Sequence, residues 1–364
     1  MQFNKHWAAV LDDYVIDLAW SPDGATLAAA SAAGGITLYD AATGAVKHSL
    51  AGHENGTNCL AWSPGGTGLP TRDLAAPTGQ ETRATLLATG GQDGCVRFWE
   101  PVDGKLTVEA KLGPAWVEHL AWQPASGFPP SAFGAQLLFA SAGKKLFAFR
   151  TDGSVAHTFP DAPKTITALA VGSPLTARPS PALAAAYFGG VGLWDATAFA
   201  ALKELPYGNT IHALVWSPDG RWLVAGCQDN AVHLWVPAED TELHMSGYET
   251  KLKELSFSHD SRWLATGGGR DACVWDCSGA GPEGREPQLL PHASRVCAVA
   301  YQNQHGLLAT GSGDGVFTLW APTRKNPMVA EVRMASAATK FAWRADDALL
   351  AVGTEKGQVF VFKL

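Results

Sequence analysis

The segment Leu86 to Trp99, LLATGGQDGCVRFW, returns in closely similar form as LLATGSGDGVFTLW at Leu307 to Trp320. Each copy joins a run of small and apolar residues, through an Asp-Gly turn, to a second short run that ends in tryptophan. Two apolar runs separated by Gly and Asp read as antiparallel β-strands. Looser copies of the first run are TLAAAS, LLFASAG, LAAAYFGG, WLVAGCQD, WLATGGGRD and LLAVGTEKG. The second runs that follow end at Tyr39, Phe149, Trp194, Trp235, Trp275 and Phe362, so the pair occurs eight times.

Another apolar segment precedes every pair. The copies are VIDLAW (15 to 20), TNCLAW (57 to 62), VEHLAW (117 to 122), ITALAV (166 to 171), IHALVW (211 to 216), LKELSF (252 to 257), VCAVAY (296 to 301) and ATKFAW (338 to 343). A weaker fourth strand, such as VKHSL (46 to 50) or LKELP (202 to 206), closes the unit. The last residues of the first segments, from Trp20 to Trp343, are spaced 42, 60, 49, 45, 41, 44 and 42 residues apart. Four short strands repeating every ~40 to 45 residues are the pattern of a β-propeller blade. The longer intervals hold irregular inserts rich in Pro, Gly and Thr at Ser63 to Ala84 and Gln123 to Gly134.

Strand counting predicts how the ends meet. The eighth unit stops at Leu364 one strand short, while Lys5 to Leu11 (KHWAAVL) forms an unassigned strand at the start. This N-terminal strand is expected to complete the last blade, giving an all-β, eight-bladed propeller in one domain, residues 1 to 364. Seven blades are the alternative if the weak fourth unit merges into a neighbour.

Composition sets the class of partner. Hydrophobic residues make up 46% and charged residues 17% of the 364, enough apolar material for a large core and too little charge for disorder. A formal charge of −7 argues against a general nucleic-acid or anionic-membrane binder. No signal-peptide pattern or long apolar span is present, and the six cysteines form no CxxC pair. Reduced, mostly buried thiols in a cytoplasmic protein are expected, and the high alanine content suggests a bacterial source.

These features resemble the WD40 (WD-repeat) β-propeller family over essentially the whole chain. The resemblance rests on Gly52-His53, the SPDG turns at Ser21 and Ser217, the LATG segments, and the endings Tyr39-Asp40, Trp194-Asp195 and Trp275-Asp276. It implies a buried hydrogen-bonded tetrad of His, Ser or Thr, Asp and Trp that braces a blade. The set is complete as His53, Thr89, Asp93 and Trp99 in blade two and as His292, Thr310, Asp314 and Trp320 in blade seven. The other six blades are expected to rely on apolar packing; blade five keeps Asp229 and Trp235 but has Ala225 and no matching His.

No HExxH, GxSxG or GxxxxGK[ST] pattern occurs, and the pairs Gly90-Gly91 and Gly267-Gly268 read as turns. The resemblance places the start of each first strand on the top face, near a central channel. Three residues before the closing residue of the first strand lies a polar column with Asp17, Cys59, His119, Glu254 and Lys340. Cys59, Glu118 and His119 are conceivable metal ligands, but ordinary polar lining is the stronger reading, and no cofactor is expected. Six residues before the same closing position stand Tyr14, Trp116 and Arg295, side chains enriched in binding hot spots. Tyr14, Trp116, His119, Arg295 and Lys340 are therefore the expected partner-binding surface, against the alternative that Trp116 merely packs over a blade edge. The expected function is a monomeric, non-catalytic scaffold for protein partners, without nucleic acid or membrane. The alternative is a metal- or small-ligand-binding propeller, or an enzyme, with its site at the channel mouth.

Overall fold

The computed structural model describes residues 3–65, 85–124, 136–173 and 180–364, together with a short backbone pairing of Pro70–Thr71 and Thr82–Arg83. The inserts expected at 63–84 and 123–134 lie for the most part outside the described residues. The fold is an eight-bladed β-propeller, all-β, with each blade a four-stranded antiparallel sheet.

Blade one comprises Val15–Trp20, Thr26–Ser31, Ile36–Asp40 and Val46–Leu50, and blade two Thr57–Trp62, Leu87–Gly91, Cys95–Glu100 and Lys105–Lys111. Blade three is Val117–Trp122, Leu138–Ala142, Lys145–Phe149 and Val155–Thr158. The weak fourth unit forms a full blade of its own, Ile166–Val171, Ala182–Tyr187, Gly189–Asp195 and Ala201–Tyr207, which removes the seven-blade alternative. Blade five is Ile211–Trp216, Leu223–Cys227, Val232–Val236 and Thr241–Met245. Blade six is Leu255–Phe257, Trp263–Thr266, Asp271–Asp276 and Gln288–Pro291, and blade seven Val296–Tyr301, Leu308–Ser312, Val316–Trp320 and Met328–Arg333. In blade eight Ala338–Trp343, Leu349–Thr354 and Gln358–Lys363 are joined by the N-terminal strand Asn4–Val10, which pairs antiparallel with Gln358–Lys363 as the strand count requires.

By internal contacts the chain divides into two compact units, Ala19–Ile166, and Met1–Leu18 with Thr167–Leu364. The same devices build each unit. Second strands are small and apolar because both of their faces are covered: TLAAAS in blade one and ALAAAY in blade four are buried throughout. The glycine of the LATG segment has a packing reason. A Cβ on Gly90 would stand 2.5 Å from Cγ1 of Val117, the first residue of blade three's first strand. In the other unit a Cβ on Gly353 of blade eight would stand 2.5 Å from Cγ1 of Val15. At Gly90 and Gly353 the next blade approaches so closely that only glycine fits. Gly90-Gly91 accordingly lies inside a strand, not in the turn that its composition suggested, and Gly91 also clears space for the His53 ring.

The tryptophans that close the first strands of blades two, three and eight tie each of those blades to the preceding one. The indole NH of Trp62 donates to Ala19 O at 2.9 Å and that of Trp122 to Ala61 O at 3.1 Å. In the other unit Trp343 donates to Ala300 O at 3.1 Å. Each acceptor is the residue just before the preceding blade's own closing aromatic, so the repeat in sequence becomes a repeat of inter-blade bonds. A buried indole NH needs such an acceptor, and Trp216, which follows the blade closed by Val171, has none.

The SPDG turns are fastened by their own side chains. Ser21 Oγ donates to Asp23 at 2.5 Å and accepts the Thr26 amide at 2.9 Å, and Ser217, Asp219 and Trp222 repeat the pattern. Such side-chain bonds to the turn backbone are why Ser and Asp occupy these positions.

Candidate functional site

In blade two the four tetrad residues form one continuous chain of hydrogen bonds. Trp99 Nε1 donates to Thr89 Oγ1 at 2.9 Å, Thr89 Oγ1 lies 2.9 Å from His53 Nε2, and His53 Nδ1 lies 2.9 Å from Asp93 Oδ1. A carboxylate only accepts, so Nδ1 carries the proton, Nε2 accepts, and the Thr89 hydroxyl must donate to it. Burial lowers the His53 pKa more than Asp93 raises it, so the imidazole is neutral at pH 7. Burial by itself would raise the Asp93 carboxyl, but His53, the Cys95 amide and Arg97 outweigh it and hold it below the ordinary carboxylate range. Arg97 Nη1 sits 2.9 Å from Asp93 Oδ2, and its Nε bonds Glu109 at 2.6 Å.

Blade seven departs from the expected set. Trp320 donates to Thr310 Oγ1 at 2.7 Å and Thr310 Oγ1 lies 2.8 Å from His292 Nε2. The His292 Nδ1–H then turns to the backbone carbonyl of Leu290 at 2.9 Å, not to Asp314. Asp314 instead accepts from Ser312 Oγ at 2.7 Å, with Arg333 at 3.8 Å. A carbonyl and a carboxylate are both acceptors, so the histidine tautomer is unchanged while the charged member is lost.

The expectation that the remaining blades rest on apolar packing is corrected in blade six. Trp275 Nε1 donates to Tyr248 Oη at 2.8 Å, and Tyr248 Oη lies 3.0 Å from Thr266 Oγ1. Tyr248 stands nine residues before Phe257, the same offset that separates His53 from Trp62 and His292 from Tyr301. Tyr207 occupies that offset in blade five. Its hydroxyl donates to Asp229 at 2.9 Å, while Trp235 Nε1 is buried without a partner because Ala225 replaces the threonine. The offset is visible in the sequence, with tyrosine in place of histidine.

The expected partner residues fall in both units. Trp116, in the first, is 50% exposed and is the tryptophan left open to solvent among the described residues. His119, two positions beyond Val117, is pushed down to about 4 by burial and carries no charge at pH 7. In the second unit Arg295 is exposed, and burial raises the carboxyl of Glu254 against the lowering effect of that guanidinium. Tyr14 is half-buried, its hydroxyl pKa raised by burial and by Glu355. Lys340 Nζ is held by Asp17 at 2.9 Å, so two members of the polar column neutralise each other.

The residues just before that column have a different duty from channel lining. The register of the first strand shifts at Asn58, Glu118, His212, Cys297 and Thr339, a β-bulge that re-aims the side chain. Asn58 Nδ2 donates to Val117 O at 3.1 Å, Cys297 Sγ contacts Ala338 O at 3.2 Å, and Thr339 Oγ1 donates to Val15 O at 2.7 Å. Each reaches the first residue of the next blade's first strand, so these side chains clasp neighbouring blades.

Reactive groups are subdued. Among the described residues no three His, Cys, Asp or Glu side chains are grouped to hold a metal ion, Cys59, Glu118 and His119 included. None of the six cysteines is in a disulfide, and burial pushes Cys227, Cys273 and Cys297 up to about 11 and Cys277 to about 12, far from the thiolate form a nucleophile needs.

Comparison with known proteins agrees with this geometry. The family profile "WD domain, G-beta repeat" matches residues 44–100, 202–236, 241–276 and 285–321, and the profile "Anaphase-promoting complex subunit 4 WD40 domain" matches 2–64. The chain is 24% identical over 136 residues to "WD repeat-containing protein srw1" of Schizosaccharomyces pombe, covering 37% of this chain and 24% of that protein. It is 28% identical over 160 residues to "Protein SEC13 homolog" of Drosophila melanogaster, covering 40% and 44%. The chain thus spans less than half the length of these relatives, and both are eukaryotic, which lends nothing to a bacterial source. Among solved structures, the Dos1 propeller superposes with a TM-score of 0.79 at 17% identity, over 99% of this chain and 95% of that one. The computationally designed Ika8 protein gives 0.73 at 18% identity, over 98% of each. Eight phased blades, a complete tetrad and these matches make the chain a member of the WD40-repeat family.

Proposed function

We propose that this chain is a non-catalytic scaffold that binds protein partners through the residues at the starts of its first strands. The observation that carries the reading is Trp116, half open to solvent directly before the fully buried Val117. An aromatic side chain on a rigid strand start offers large contact area at little entropic cost, and tryptophan and arginine are the residues most enriched in binding hot spots. Arg295 fills the same strand-start position in blade seven and keeps its charge exposed. Lys340 and His119 contribute less to recognition, one because Asp17 already neutralises it and the other because it is uncharged.

Affinity purification with quantitative mass spectrometry tests the reading. Trp116→Ala and Arg295→Ala should each lower recovery of the specific partner by at least about 30-fold in affinity, the equivalent of a ~2 kcal/mol hot spot. Unchanged recovery by the folded double variant would reject these residues as the contact surface.

A further inference from the structure

Blade five holds a polar cluster that neither the braces nor the strand starts use. His233 on the third strand and His244 on the fourth are direct cross-strand partners. Their Nδ1 atoms stand 3.4 Å apart. His233 is buried and His244 is exposed. The other ring nitrogen of His233, Nε2, lies 3.3 Å from Glu242 Oε2. Because the carboxylate only accepts, Nε2 carries the proton and the Nδ1 lone pair of His233 faces His244. Trp235 and Tyr207 pack on the His233 ring, with centroids 4.5 and 4.9 Å away, and fix its plane.

We propose that His233 and His244 form a two-histidine site for a divalent transition-metal ion, with water completing its coordination. Nitrogen ligands sit ~2.0 to 2.1 Å from such an ion, and two of them at a near-tetrahedral angle stand about 3.4 Å from each other. That is the separation already present. A ligating histidine commonly gives its second N–H to a carboxylate, which orients the ring and strengthens the donor; Glu242 does this for His233. Imidazole suits nickel, copper and zinc. Burial lowers the His233 pKa more than Glu242 raises it, so the ring is the neutral form a metal requires. Asp229 adds negative charge nearby, while Lys203 is engaged by Asp240.

The protons balance. Without metal, His244 Nδ1–H donates to His233 Nδ1. On binding, that proton leaves Nδ1 for solvent and the ring's N–H sits at Nε2, so the Nδ1 lone pair of His244 is open to the metal. Solvent reaches the site because His244 is exposed.

Isothermal titration with Ni²⁺ alone tests the proposal on the full chain, with circular dichroism as the check on folding. The wild type should take one equivalent that His244→Ala lacks, and His244 is exposed enough for that variant to fold. Glu242→Gln should keep the equivalent and bind about 10- to 100-fold more weakly. In the wild type, ¹⁵N imidazole resonances of both histidines should shift or broaden together. An identical isotherm for His244→Ala, or no Ni²⁺ equivalent in the wild type, overturns the site.

Discussion

Blades two and five place side chains at the same four positions, but blade five has Ala225 where blade two has Thr89 and Tyr207 where it has His53, and the lost threonine hydroxyl leaves its tryptophan unpaired. In blade two Thr89 accepts from Trp99 and donates to His53, so every buried polar group is paired out to Asp93. In blade five Ala225 breaks the relay in the middle: Trp235 NH is buried unpaired, and Tyr207 reaches Asp229 directly. The brace is thus a directed chain of donors and acceptors, and its ends have value only while its middle conducts. Blade six shows that the middle and the tryptophan tolerate a different partner, because Tyr248 both accepts from Trp275 and bonds Thr266.

The largest effect should come from turning blade two into blade five. Thr89→Val keeps the shape but strands both the Trp99 NH and His53 Nε2; at ~1 to 3 kcal/mol for each buried group, the loss is about 2 to 6 kcal/mol. Chemical denaturation followed at Trp99 measures it, and a loss no larger than an ordinary surface change would mean that apolar packing alone carries the blade.

Asp93→Asn and Asp314→Asn sharpen the contrast between blades two and seven. The first removes a nearly buried acceptor serving His53 and Arg97 and should cost about 1 to 3 kcal/mol. The second alters a carboxylate outside the relay and should cost about 0.5 kcal/mol or less. Equal denaturation shifts would put Asp314 back into the brace.

The reverse experiment, Ala225→Thr, should stabilise blade five by about 1 kcal/mol and slow exchange of the Trp235 indole NH. A loss of stability with unchanged exchange would show that the space around Ala225 is too tight for the added atoms, and that packing distinguishes the two blades.

Much of this was legible in the chain itself. Period, strand number and the closing role of Asn4–Val10 follow from the spacing of apolar runs and Asp-Gly turns, because a strand's alternation and a turn's backbone demands are local. His53, Thr89, Asp93 and Trp99 were identifiable through the family resemblance, whose intervals they match: Thr89 and Trp99 lie on paired strands, and His53 and Asp93 lie in the connections beside them. Tyr248 and Tyr207 share the offset of His53 but differ in chemistry, so the position was readable and the bond was not.

The tertiary structure decided the rest. Whether His292 bonds Leu290 O or Asp314 depends on ring orientation, which no interval encodes. The clasps of Asn58, Cys297 and Thr339 depend on a bulge, a property of two paired strands and of the neighbouring blade together. His233 and His244 lie eleven residues apart in the chain, and only the hairpin register brings their nitrogens within 3.4 Å. Local chemistry is enough to specify a strand and its turn; the direction of a hydrogen bond or the meeting of two ligands is set by what stands opposite.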